Sequence, residues 1–132
     1  MPRITLLFVS LHVLLMLLLA VRVVAYRRSQ QIGIGDGEDK HLLRRMRAHG
    51  NFVEYVPMAL LLMGLLEISG LAPVWLWTVG GLLLLARSLH AWGLSQRSGY
   101  SFGRFWGTLL TWIVLLMMAG MGVGMFLRDA VG

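Results

Sequence analysis

Four stretches of this chain are too long and too apolar to find enough protein to bury them in a domain of 132 residues. Ile4–Val24 is the first. It holds about twenty residues interrupted only by Thr5, Ser10, His12 and Arg22, the length needed to cross a hydrocarbon core of roughly 30 Å. Three more runs, about 50–69, 74–92 and 105–127, have comparable length. Within lipid every backbone amide must find its partner inside the segment, so each run is expected to be a helix. The expected fold class is therefore all-α, an integral membrane four-helix bundle in a single domain over 1–132. Composition agrees: charged residues make up 14% of the chain, against about a quarter in an ordinary soluble domain.

The ends of the runs carry signals of their own. Arg3 and the apolar run up to Ala20 resemble a secretory leader, but the run is too long for one and lacks a small-x-small cleavage site, so a retained span is expected. His12 within it is read as a hydrogen-bonded histidine facing a neighbouring helix, with a proton relay as the alternative. Arg22, Arg27 and Arg28 close the span. Interfacial snorkelling accounts for them, although Arg22 lies inside the apolar register and can point into a bundle. The polar segment Ser29–Asp39, with Gly33, Gly35 and Gly37, is expected to be a loop whose acids cap the next helix near Lys40. It follows no strand, so its glycines do not make a phosphate-binding loop.

The second helix is expected from Lys40 to about Ser69, kinked where Pro57 leaves the Val53 carbonyl without its amide. A turn over Gly70–Pro73 leads to the third span, with Trp75 and Trp77 at one interface and Trp92 at the other. After a loop over Ser95–Gly103, the fourth span carries Gly120-x-x-x-Gly124, a spacing that permits close helix approach. Thr108 and Thr111 on it bond back to the backbone or face the bundle interior.

Basic residues crowd one side of this arrangement. Arg22, Arg27, Arg28, Lys40, Arg44, Arg45 and Arg47 flank the first loop, and Arg87, Arg97 and Arg104 flank the third. The opposite side has Arg3 and Arg128. The positive-inside rule places both loops in the cytoplasm and both termini on the other side. A formal net charge of +6 distributed in this way does not form the basic face of a nucleic-acid binder. The chain has no cysteine, so a thiol nucleophile, if one is used, arrives with a substrate.

Polar residues gather at the cytoplasmic end, above all in Arg44-Arg45-Met46-Arg47-Ala48-His49-Gly50-Asn51-Phe52-Val53-Glu54-Tyr55-Val56-Pro57. Arg47, Asn51, Glu54 and Tyr55 stand at i, i+4, i+7 and i+8 and share a helix face. With Arg22, Arg27, Arg87, His90 and Arg104 at similar depth, arginine is in surplus, and an anionic ligand is its natural partner. Glu54 has two readings at this point: an internal pair with Arg47 or Arg87, or a receptor for a ligand's ammonium group.

The stretch Arg47 to Pro57 resembles the signature of the MAPEG family, the membrane-associated proteins in eicosanoid and glutathione metabolism. That signature is Arg-x-x-x-Asn-x-x-Glu followed shortly by proline, on the second of four membrane helices. The likeness extends to Arg87-Ser88-Leu89-His90-Ala91 and, in length and helix number, to the whole chain. It implies a homotrimer embedded in the lipid bilayer, binding glutathione as co-substrate between subunits near the cytoplasmic face. It also implies a lipophilic small-molecule electrophile as the second substrate.

By the same resemblance Arg47 holds a glutathione carboxylate, Asn51 its peptide backbone and Glu54 its ammonium. Tyr55 and His90 match further contacts, Arg87 lies in the matching segment, and Arg22, in preference to Arg27, matches an arginine from the adjacent subunit. Arg104 matches the catalytic arginine that polarises the thiol. Leu94 stands where the leukotriene and prostaglandin enzymes have a tyrosine, and Phe105 and Thr108 replace the polar residues that can follow the arginine in the prostaglandin enzyme. A simpler glutathione transferase, possessing or lacking peroxidase activity, is thus the expected function. The alternative is a non-catalytic glutathione- or lipid-binding protein of the same fold. A small four-helix multidrug exporter would need a carboxylate early in span one, and Ile4–Val24 has none.

Overall fold

The computed structural model describes residues 1–96 and 101–131, so Arg97 lies outside it. Four helices follow one another: α1 (Arg3–Ser29), α2 (Lys40–Ile68), α3 (Pro73–Gln96) and α4 (Phe102–Val131). All four are long and apolar enough to cross a membrane. Each extends beyond the apolar run that identifies it, because a helix continues into the interface wherever charged residues can reach water. Helix takes up both ends of the expected loop Ser95–Gly103, with α3 continuing to Gln96 and α4 starting at Phe102, and residues 97–100 between them lie outside the described residues.

The boundaries have local causes. Asp39 is the N-cap of α2, its Oδ1 accepting from the amides of His41 at 2.6 Å and Leu42 at 3.1 Å. The Tyr26 hydroxyl donates to its other oxygen at 2.9 Å and ties the end of α1 to the start of α2. The Leu42 amide, followed by the Tyr26 hydroxyl and the His41 amide, outweighs partial burial and holds the Asp39 carboxyl below its ordinary value. A depressed carboxyl pKa stabilises the fold above the unfolded-state value, and that contribution disappears only as pH falls through the folded one. The cap is therefore intact at neutral pH. At the other end of α2, Gly70 takes φ +87° while the Leu71 amide donates to Leu66 O and the Gly70 amide to Glu67 O. This left-handed stop suits glycine, and Pro73 then opens α3 where a missing amide costs nothing. The α2 helix continues through Pro57.

One boundary has no signal in the local sequence. The residue preceding α1 is Pro2, whose side chain caps nothing. The orphan amides of Ile4 and Thr5 donate instead to the two Glu67 oxygens at 2.9 and 2.7 Å, from the far end of α2. This carboxylate at a helix N-terminus locks α1 against α2. Glu67→Ala is expected to cost about 1 kcal/mol, as loss of an N-cap does, and to lower the melting temperature in detergent.

Two apolar clusters fill the interior. Phe8, Ala59, Met63, Leu83, Val114 and Met118 belong to the larger, which joins all four helices. Leu19, Ala48, Phe52, Val56, Ala91 and Leu94 form the second, at the end where the basic residues lie. Packing is uneven. Helix α3 lies closest along α4 and α1 along α2, while α1 and α4 do not meet among the described residues.

The α3–α4 crossing is tight because of glycines, though not the expected ones. A Cβ on Gly93 would stand 2.4 Å from the Arg104 amide nitrogen, one on Gly103 2.7 Å from the Leu89 carbonyl, and one on Gly107 2.7 Å from the His90 backbone nitrogen. Gly120 and Gly124 face open space within the chain. Their spacing permits approach, but no helix of the same chain uses it.

Candidate functional site

The close α3–α4 crossing determines which side chains can meet at the basic end. On α2, Lys40, Leu43, Arg44, Arg47 and Asn51 recur at helical spacing and line a cavity of about 530 Å³. His90 and Leu94 of α3 and Arg104 and Thr108 of α4 complete its wall. Gly107 lies against His90, so α4 cannot stand off, and Arg104 shares the cavity with His90 although thirteen residues lie between them. Ser101 caps α4, its Oγ accepting from the Arg104 amide at 3.3 Å, and the Thr108 hydroxyl donates to the Arg104 carbonyl at 2.9 Å. These bonds fix the Arg104 backbone and leave its side chain exposed.

Behind the wall lies Arg87, only 1% exposed. Its Nη2 donates to Asn51 Oδ1 at 2.8 Å and also lies 3.4 Å from His90 Nδ1. Its Nη1 donates to Thr111 Oγ at 3.4 Å, and Thr111 in turn donates to the Gly107 carbonyl at 2.7 Å. The guanidinium also lies 5.8 Å from the Phe52 ring and 5.9 Å from that of Tyr55. Arg87 thus clamps α2 and α4 onto α3. By occupying the Asn51 oxygen it leaves the Asn51 NH₂ as the free end of that amide.

Arg47, Asn51, His90 and Arg104 therefore come together on one cavity, with Arg87 and Tyr55 in support. Glu54 is exposed and makes no ion pair with Arg47 or Arg87; among the described residues the only ion pair is Arg128–Asp129. The internal pairing considered from the sequence fails for a geometric reason. At 100° per residue Glu54 stands about 160° round the helix from buried Phe52, while the Arg87 guanidinium is engaged on the inner face. Arg22 also lies apart, in a separate hollow with Tyr26, Ser29 and Arg45. Arg27 donates to Met46 Sδ at 3.3 Å and the Gly33 carbonyl at 3.4 Å.

Lys40, Leu43, Arg44, Leu94 and Thr108 line the cavity but were not nominated from the sequence as ligand contacts. The i, i+3, i+4, i+7, i+11 spacing of the α2 residues was a usable signal, since it is the same face as Arg47 and Asn51 continued toward the N-terminus. A second, apolar groove of about 270 Å³ adjoins this cavity. Phe105, Leu109 and Trp112 line it, and Arg104 and Thr108 border both spaces.

Comparison with known proteins agrees with this architecture. The chain is 36% identical over 113 residues to the inner membrane protein YecN of Escherichia coli strain K12, covering 85% of this chain and 84% of that one. The same figures hold for the inner membrane protein YecN of Escherichia coli O6:H1 strain CFT073. With four spanning helices and such relatives, this is an integral multi-pass membrane protein. The model of the MAPEG family matches residues 5–124, a range that includes every residue lining the cavity, and the chain belongs to that family.

Proposed function

We propose that the protein is a membrane-embedded glutathione transferase, with peroxidase activity as a second use of the same thiolate. The observation that carries this reading is the cavity in which Lys40, Arg44, Arg47 and Arg104 converge with Asn51 and His90 and, among the described residues, no carboxylate lines the wall. Such a wall suits a ligand with several negative groups, and glutathione brings two carboxylates and an ionisable thiol. Arg47 holds a carboxylate, and the Asn51 NH₂, oriented by Arg87, faces the peptide. Exposed Glu54 receives the ammonium, and Arg22 reaches the site of a neighbouring copy. The separation of Glu54 and Arg22 from the cavity within one chain supports a homotrimer whose sites are completed between subunits. The basic loops face the cytoplasm, where glutathione is supplied.

Arg104 lies beside the bound thiol and favours its ionised form. The thiolate sulfur then bonds to an electrophilic carbon of a molecule held in the Phe105–Trp112 groove. An aryl halide loses its halide in this step, and the thiol proton has already passed to water. A hydroperoxide is instead cleaved at its O–O bond, giving an alcohol and a sulfenic acid that a second glutathione reduces, with release of water.

Addition of glutathione to the purified protein should produce a thiolate absorbance band, and a nitroaryl chloride should be conjugated. Binding with neither signal would replace the enzyme reading with the non-catalytic one. Arg47→Ala and Glu54→Ala are each expected to weaken glutathione binding by at least about tenfold in isothermal titration, the scale of one lost charged hydrogen bond.

A further inference from the structure

We infer that the cation-lined cavity and the apolar groove beside it form one site for an anionic phospholipid, whose phosphate enters the cavity while an acyl chain lies along α4. Its competition with glutathione rests on the function proposed above; the lipid site itself does not. Ser101, Arg104, Phe105, Thr108, Leu109 and Trp112 line the groove at i, i+3, i+4, i+7, i+8 and i+11, and so make one continuous face of α4. Polarity falls along this face. Ser101 and Arg104 stand at the basic end, and Leu109 and Trp112 lie deeper in the apolar part of the helix. Arg104 and Trp112 are about 12 Å apart along the axis, at 1.5 Å per residue. Phe105, Trp106, Trp112 and Ile113 are exposed, which leaves this side of α4 open to hydrocarbon.

Charge commits the other end to a phosphate. Lys40, Arg44, Arg47 and Arg104 share the cavity wall, and among the described residues none of them is in an ion pair. Arg44 is braced there, its Nε donating to the Lys40 carbonyl at 3.2 Å and its Nη2 lying 2.7 Å from His41 Nδ1. Such a cluster beside hydrocarbon repels itself and is stabilised by counter-charge. A fatty acid brings a single charge, whereas a phosphomonoester brings about two and three acceptor oxygens that suit guanidinium forks. Basic pockets between membrane helices collect phosphate head groups from the anionic leaflet in this way. Arg104 and Thr108 border both spaces, so the head and chain of one molecule can occupy them together. The lipid then stands where glutathione and the electrophile would lie, and acts as an inhibitor.

The full-length protein in an uncharged detergent can be titrated with oleoyl lysophosphatidate, with glycerol phosphate and with monoolein. The first has head and chain, the second the head alone, and the third the chain and glycerol without phosphate. Lysophosphatidate should bind at least about tenfold more tightly than either, the scale of one charged hydrogen bond. Arg44→Glu should remove its advantage over monoolein, and Lys40→Gln should reduce that advantage should the first variant not fold. Leu109→Glu should weaken lysophosphatidate and leave glycerol phosphate unchanged, which separates a chain held in the groove from one dissolved in micelles. Lysophosphatidate should also raise the apparent Kd of glutathione in proportion to its concentration. Glycerol phosphate binding as tightly as lysophosphatidate would identify free phosphate as the ligand and overturn the proposal. So would equal binding of lysophosphatidate and monoolein, simultaneous binding of lysophosphatidate and glutathione, or binding of neither lipid, as in a groove closed by a second copy of the chain. Failure of glutathione itself to bind would remove the proposed function and leave the lipid titrations to decide this one.

Discussion

Gly107→Ala is expected to carry a steric cost of about 1–3 kcal/mol, a net loss of stability of up to about 2 kcal/mol, and to disable the cation-lined cavity at the same time. The added methyl carbon would stand 2.7 Å from the Ala86 carbonyl oxygen, from the His90 nitrogen and from the His90 Cβ. Two of these are main-chain atoms of a packed helix and cannot swing aside as a flexible side chain can. Relief requires α4 to move off α3, which carries Thr111 away from Arg87 and Arg104 away from His90. Replacing helical glycine by alanine also gains roughly 1 kcal/mol of intrinsic propensity, so the measured loss is the steric cost less this gain. Gly120→Ala isolates that second effect, because a Cβ there meets nothing within 4 Å. It should be neutral or slightly stabilising. Thermal unfolding of both variants in detergent, together with titration of glutathione, separates the two effects. Equal melting temperatures would show that the close crossing does not support the fold.

These two glycines illustrate what could be read from the sequence. The spans were legible because the hydrocarbon thickness acts on each helix alone, whatever its neighbours do. A small-x-x-x-small spacing states only that a helix face could be approached. Whether it is approached depends on how the other helices pack, which is why Gly120 and Gly124 attracted attention and Gly93, Gly103 and Gly107 did not. The acids before Lys40 were readable as caps, and Asp39 is the one that caps α2, because its partners follow within three residues. Glu67 was not, because the amides it serves lie 62 and 63 positions away.

The cavity was legible to a similar degree. Arg47 and Asn51 follow from one helical face, and Arg104 from the family resemblance. The second role of Arg87, directing the amide of Asn51 from behind the wall, depends on a contact between residues 36 apart. For Glu54 the sequence left two readings open, an internal pair or a receptor for a ligand's ammonium, and the orientation of the helix removes the first. Opposite charges close in sequence invite pairing, but the pair forms only if the helix turns both toward each other, and buried Phe52 and Val56 orient α2 the other way.

Arg104→Ala is expected to reduce the rate of conjugation by roughly twenty-five-fold at neutral pH, and by about a hundredfold at lower pH, while leaving glutathione affinity within a few fold. A free thiol ionises near pH 8.5, and a neighbouring cation lowers that value. A lowering of about two units corresponds to about 2.7 kcal/mol of preference for the thiolate, which one partly desolvated guanidinium can supply. The sign follows directly. With Arg104 present the thiolate persists to lower pH, so the inflection of the rate should lie below neutrality. Without it the inflection should move upward toward the ordinary thiol value, and raising the pH should restore much of the lost rate. Affinity is spared because Lys40, Arg44 and Arg47 remain on the same wall to hold the carboxylates. Arg104→Lys keeps the charge but loses the planar fork, and should fall between the two. The pH dependence of conjugation, measured beside the thiolate absorbance of each variant, tests the assignment. A variant whose rate falls with no displacement of the profile would show that Arg104 positions the electrophile in the adjoining groove and does not ionise the thiol.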